Sequence, residues 1–175
     1  MLSFESERLR LHPLTLPQLH LFLNNRVALE NELQIQLPIL KPNTDDSFMR
    51  EFDSVMESYV IPNVTRFAES YPWYTHWLVI HKADKRAVGG LGLYGLPNES
   101  GEVMFGYFID QSYEGQGLTT EAVKRLIEWL FSHPNVKSIM ADTLVDGFGS
   151  QRVLQKNGFQ YAGETDEGLR WKLMK

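Results

Sequence analysis

The chain has 175 residues, of which 43% are hydrophobic and 12% aromatic, and a formal net charge of -5 at pH 7. That length suits a single domain over residues 1–175 with a sizeable core, and an acidic chain without a Lys/Arg cluster is a poor partner for nucleic acid, whose phosphates call for a basic surface. The absence of cysteine excludes disulfides, a thiolate nucleophile and Cys-ligated metal and suits a reducing cytoplasm.

The N-terminus, Met1 to Glu5, lacks the basic-then-apolar plan of a signal peptide. No apolar run approaches membrane-spanning length. Glu7 to His12 alternates charged and apolar residues and reads as a first strand, ended by Pro13. A helix follows, with Thr15 as cap, Pro17 in its first turn, and Leu19, Phe22, Leu23, Val27 and Glu30 at helical spacing. From Leu33 to Tyr74 the pattern is broken by Pro38, Pro42 and Pro62. Within it, Asp45 to Tyr59 is predicted helical, capped by Thr44 or Asp45, with Phe48, Phe52, Val55, Met56 and Tyr59 on one face. A shorter helical piece covers Val64 to Ser70. Tyr71, Trp73, Tyr74 and Trp77 lie close together and fit either packing aromatics or the wall of a substrate cleft.

A meander comes next: Trp77 to His81, a turn at Ala83 to Arg86, a return over Ala87 to Tyr94, a turn at Asn98 to Gly101, and a strand from Glu102 to Ile109. Tyr113-Glu114-Gly115-Gln116-Gly117-Leu118-Thr119-Thr120 then opens a helix whose Val123, Leu126, Ile127, Leu130 and Phe131 share one face. After a break at His133-Pro134-Asn135, Lys137 to Leu144 is a strand and Ser150 to Gly158 a short helix ended by Asn157-Gly158. Phe159 to Glu164 and Leu169 to Leu173 are the last strands. This order predicts a mixed α/β (α+β) domain.

Strand, glycine turn and helix in that order make an anion site. The first amides of a helix have no intrahelical partner, and the helix dipole favours negative charge there. Gly115 and Gly117 let the backbone take positive φ and let a phosphate approach without a Cβ in the way. The same stretch also fits an ordinary tight turn before a helix. It is not a Walker-type loop, since no Lys-Ser/Thr follows the second glycine, nor a dinucleotide fingerprint, since the third glycine is missing.

Three anchors, in order along nearly the whole chain, carry a likeness: Ser6-Glu7-Arg8-Leu9-Arg10-Leu11; Gly106-Tyr107-Phe108-Ile109 with Gly115-Gln116-Gly117-Leu118-Thr119-Thr120-Glu121-Ala122; and Ser150, Arg152-Val153-Leu154 and Lys156-Asn157-Gly158-Phe159. The set resembles the GNAT superfamily of acyl-CoA-dependent N-acetyltransferases, in particular the branch of ribosomal-protein N-terminal acetyltransferases. The likeness implies a mostly antiparallel central sheet of six to seven strands flanked by helices. Against the superfamily pattern, Glu114 takes an Arg/Gln place and Thr119 a small-residue place. Gly147 stands where Asn is usual, Leu154 where many members carry a general-acid Tyr, and Met104 where Glu is usual.

The resemblance implies direct attack of a primary amine, on a protein N-terminus or a small molecule, on the thioester of acetyl-CoA. Gly115, Gln116, Gly117, Leu118, Thr119 and Thr120 would hold the pyrophosphate, and Tyr107, Phe108 and Ile109 the pantetheine, where the sheet splays from the strand at Ile139. An amide near Phe108 or Ile109 would stabilise charge on the thioester oxygen. Glu102 is the candidate general base, against a solvent-facing strand carboxylate, and Ser150 the candidate acid for the thiolate, against a helix cap. No metal is expected, because the five histidines lack metal-ligand spacing. Dimers are common in the resembled branch. The alternatives are a non-catalytic acyl-CoA-binding module, which the missing Tyr and Asn would suit, and an interaction domain using the Tyr71 to Trp77 aromatics.

Overall fold

In the computed structural model, which describes residues 4–44 and 47–175, one sheet of eight strands runs through the molecule in the order β1-β2-β3-β4-β5-β6-β8-β7. The strands are β1 Phe4–Glu5, β2 Leu9–Pro13, β3 His76–His81, β4 Arg86–Leu93, β5 Glu102–Ile109, β6 Ser138–Thr143, β7 Gln160–Thr165 and β8 Gly168–Met174. One more strand is present than the largest number expected: Phe4–Glu5 pairs back on β2 across a turn at Ser6 to Arg8. Every neighbouring pair is antiparallel except β5 and β6, which run parallel.

Alternation along the strands feeds two cores. Trp77 and Val79 of β3 join Val103 and Phe105 of β5 beneath α5, the helix Leu118–Ser132, whose Val123, Leu126 and Leu130 are buried there. Leu78 and Ile80 of β3 face the other way, onto α1 (Leu16–Asn24), α2 (Arg26–Leu33) and the segment Met56 to Val64. α1 opens on a capping box between Thr15 and Gln18, with Pro17 in the first turn as expected. The single helix expected through Glu30 is two helices. Asn25 leaves helical geometry at φ -154° and ψ 71°, and its side chain caps α2 by accepting from the Ala28 amide. Val27, read as part of the apolar face, is 65% exposed as a result.

The next helical stretch is continuous in direction but changes pitch. α3 covers Ser47–Val55, a π-helical turn covers Met56–Val60, and α4 covers Ile61–Arg66. The expected start at Asp45 lies outside the described residues. Pro62 does not end the helical stretch; it stands where the π turn passes into α4, at the second residue of that helix. The piece expected over Val64 to Ser70 is instead the end of α4 followed by a 3₁₀ stretch, Ala68–Trp73. No described helix is long and apolar enough to cross a membrane.

Candidate active site

β5 starts between two partners and ends beside one. It pairs with β6 only from Glu102↔Ser138 to Met104↔Met140, while its pairing to β4 continues to Ile109. Beyond Met104 the two halves of the sheet part. The Met104 carbonyl accepts from Tyr94 and the Asp110 amide donates to Val88, so the even-numbered residues of β5 bond towards β4. Successive residues of a strand alternate their backbone direction. The polar groups of Phe105, Tyr107 and Ile109 therefore face the gap. The amide of Phe108, one of the two expected to stabilise charge there, is turned into the ladder with β4; that of Ile109 is available.

At the far end of the gap the chain turns through Asp110 to Gly117. Asp110 anchors this turn. Its carboxylate accepts from the Lys41 amide at 2.8 Å, from the Ser112 amide at 3.0 Å and from the Ser112 hydroxyl. Burial alone would raise its pKa, but the hydrogen bonds from Ser112 and Lys41 hold it below the usual carboxylate range. Gly115 and Gly117 have φ of 73° and 77°, and α5 starts from Gly117 without any side-chain cap. The first helical bond is donated by Glu121 to the Gly117 carbonyl. The six amides from Gly115 to Thr120 have no hydrogen-bond partner among the described residues. A Cβ on Gly115 would meet nothing within 4 Å.

This mouth is a cavity of about 310 Å³ shared with α6, Phe148–Lys156. Gly149, Arg152, Val153 and Lys156 of α6 line it opposite Gly115, Gly117, Leu118, Thr119 and Thr120. The two cations were not picked out from the sequence as site residues. Their spacing of four puts them on one face of a helix, but only the packing of α6 beside α5 aims that face at the amides. Glu114 is exposed and lies outside the lining. Asn157, from the Asn-Gly ending, ties the two helices together by donating to the carbonyls of Thr120 and Val153.

The opening motif supports the same mouth. Glu121, in the first turn of α5, accepts from the Ser6 hydroxyl at 2.6 Å, the Arg8 amide at 2.8 Å and Arg8 Nε at 2.7 Å. Arg8 Nη1 donates to the Gln116 carbonyl at 2.8 Å. Burial opposes ionisation of Glu121, yet the Ser6 and Arg8 hydrogen bonds prevail and lower its pKa.

Ser150 lies inside α6, whose cap position is Gly147, so it does not serve as the helix cap. Its Oγ is 2.7 Å from the Tyr107 hydroxyl, which also reaches the Ser150 carbonyl at 3.1 Å. Burial pushes the Tyr107 phenol up to about 12, against the opposing effect of the Ser150 hydrogen bond. Leu154, in the place of the usual Tyr, is fully buried core. A phenol nevertheless reaches Ser150, from β5 across the gap.

Glu102 is not brought to this cleft. It sits at the closed end of β5, opposite Ser138 and about 23 Å of strand from Ile109 at ~3.3 Å per residue. Lys172 Nζ holds it at 2.6 Å and Asn98 Nδ2 at 3.1 Å, and these hydrogen bonds lower its pKa, the Lys172 bond foremost. A carboxylate so held is a poor base. On the sheet face away from α5 the gap opens into a second cavity of about 390 Å³, walled by α3, the π turn and Tyr94 and lined also by Tyr107, Asp142 and Ser150. His76 lines it too. Burial, then the Arg26 charge, lowers His76 to about 3, against a Leu91 backbone contact, so its imidazole stays neutral at physiological pH.

The family model described as the Acetyltransferase (GNAT) domain matches residues 8–160. The chain belongs to the GNAT acetyltransferases. This N-acetyltransferase is 30% identical over 171 residues to the uncharacterized N-acetyltransferase YjdG of Bacillus subtilis, covering 98% of the chain and 97% of the relative. RimL, a ribosomal alpha-N-protein acetyltransferase solved with coenzyme A, shares its fold at a TM-score of 0.68 and 14% identity, covering 99% of this chain and 98% of that one. AAC(6')-Ib, solved with ribostamycin and coenzyme A, shares it at a TM-score of 0.63 and 17% identity, over 97% and 94%. The acetyltransferase thus has the expected sheet and helices, with eight strands rather than six or seven.

Proposed function

We propose that this acetyltransferase takes acetyl-CoA and passes its acetyl group directly to a neutral primary amine. The observation that carries the reading is the run of six amides, Gly115 to Thr120, without a partner among the described residues, at the cavity that Arg152 and Lys156 line. Amides at a helix start and two cations suit a diphosphate, and the cavity is large enough to admit one. The bare backbone edge of Phe105, Tyr107 and Ile109 would pair with an amide-bearing arm such as pantetheine. The Ile109 amide would then meet the charge that gathers on the thioester oxygen.

The amine nitrogen attacks the thioester carbon, the C–S bond breaks, and the departing sulfur needs a proton. Ser150 would supply it, and the proton that the nitrogen sheds on becoming an amide would return to Ser150, directly or through water, so that the serine ends unchanged. Tyr107 keeps its proton at neutral pH and has two acceptors for it, the Ser150 carbonyl at 3.1 Å and Ser150 Oγ at 2.7 Å; when it donates to the closer Oγ, the Ser150 hydrogen is free to turn towards the sulfur. His76 at about 3 is some five units too weak to deprotonate an α-ammonium of pKa about 8. At pH 7 roughly a tenth of such an amine is already neutral, so the reaction draws on that fraction. The acyl-CoA-binding module without turnover was suggested by the missing Tyr and Asn, at Leu154 and Gly147; Tyr107 brings a phenol to Ser150 from another strand, which answers the first of these and favours turnover.

Titration calorimetry tests the reading. The wild-type protein binds acetyl-CoA, and Gly117→Val, which strains a left-handed residue and crowds the mouth, binds at least tenfold more weakly. Equal affinity in the two proteins, or no binding to the wild type at about 1 mM, would remove the diphosphate site.

A further inference from the structure

Resting on the acetyl-transfer reading, we infer that the acceptor is a primary amine borne on one aromatic or branched apolar group, and not a polycation. The cavity on the far side of the gap has a floor without side chains. Gly92 of β4 and Gly106 of β5 are register partners. A Cβ on Gly92 would meet nothing within 4 Å, and one on Gly106 would meet only the Tyr94 ring, its hydroxyl at 3.7 Å. Neither glycine has positive φ, so backbone strain does not explain glycine there. Gly90, the next residue on this face, differs: His76 and Phe108 rings already fill its space. The open floor is therefore confined to the part of the sheet beside the gap.

The walls are apolar. Phe52 packs edge-on against His76 and Phe108, with ring centroids 4.9 and 5.5 Å apart. The π-helical turn places Met56 and Tyr59 along the same cavity. Tyr94 lines the cavity too, beside Gly106. A flat ring or branched alkyl group would lie across Gly92 and Gly106 with these side chains around it, its amine towards Ser150 and Tyr107.

Charge argues the same way. Among the described lining residues only Glu51 and Asp142 carry carboxylates, and none is Lys or Arg. Asp142 is already taken by Arg170, whose Nε and Nη2 donate at 2.9 and 2.8 Å. Glu51 is exposed at the mouth. A spermidine or aminoglycoside would bring several ammonium groups to a lining that has a single uncommitted carboxylate among the described residues, and desolvated cations without partners bind poorly.

The test is thiol release from acetyl-CoA with 2-phenylethylamine, a Phe-Ala-Ala tripeptide amide, spermidine and ribostamycin. The expected kcat/KM for 2-phenylethylamine or the tripeptide exceeds that for either polycation by at least tenfold; whichever of the two leads tells whether the source is a free amine or a chain terminus. Gly92→Val, a β-branched residue in a strand, raises KM for the favoured amine at least tenfold while acetyl-CoA affinity stays within twofold, which also reports an intact fold. Gly92→Ala gives a smaller rise in the same direction. Equal or better turnover of a polycation, or an unchanged KM in both variants, overturns the acceptor class and leaves acetyl transfer standing. Failure to bind acetyl-CoA or to release thiol with any amine overturns both.

Discussion

Replacing Glu121 by Gln should weaken both the fold and the mouth proposed to hold the diphosphate. The carboxylate accepts three hydrogen bonds, from the Ser6 hydroxyl, the Arg8 amide and Arg8 Nε. The amide that replaces it keeps one accepting oxygen and turns an NH₂ towards donors. A hydrogen bond to a charged group contributes about 1.5–3 kcal/mol. Arg8 is 42% exposed, so water screens its share down to about 0–1 kcal/mol. The sum is about 2 kcal/mol, which for a domain of this size lowers Tm by about 4–8 °C. The effect depends on pH. Glu121 titrates lower in the folded chain than in the unfolded one, so its contribution is full above about pH 4.3, its unfolded value, and fades as pH falls through the folded pKa. Melting curves of the two proteins should therefore differ most at pH 7 and converge as pH falls through the lowered folded pKa. Because Arg8 also holds the Gln116 carbonyl, acetyl-CoA affinity at pH 7 should fall about three- to tenfold, or ~1 kcal/mol. Equal melting temperatures at pH 7, or a gap that persists unchanged in acid, would refute the assigned network.

Tyr107→Phe should cut kcat at least tenfold with acetyl-CoA affinity within twofold, and combining it with Ser150→Ala should cost little more than Ser150→Ala alone, since the two hydroxyls act as a unit. Additive losses would separate them. The pH dependence of kcat/KM should follow the amine: its rise should level near 8 for an α-amine and near 10 for an alkyl amine. A bend at one pH shared by both substrates would reveal an enzyme base that the cleft does not show.

The features readable in the sequence are those with local causes. The strand Glu102–Ile109 has the bounds that its apolar run and the preceding turn predict. The glycines before Leu118 determine free amides whatever surrounds them, because a helix start leaves its own N–H groups unpaired. What the sequence could not show are the pairings between distant residues. Arg8 meets Glu121 across 113 positions, and Tyr107 meets Ser150 across 43. Neither pairing leaves a period or a spacing behind. Nor does the alternation of β5 say where β6 stops following it, and that register puts Glu102 at the closed end and Ile109 at the gap. Local chemistry alone made a turn of free amides at the start of a helix; the parting of two strands, which depends on how the whole sheet packs, decided which residues stand beside it.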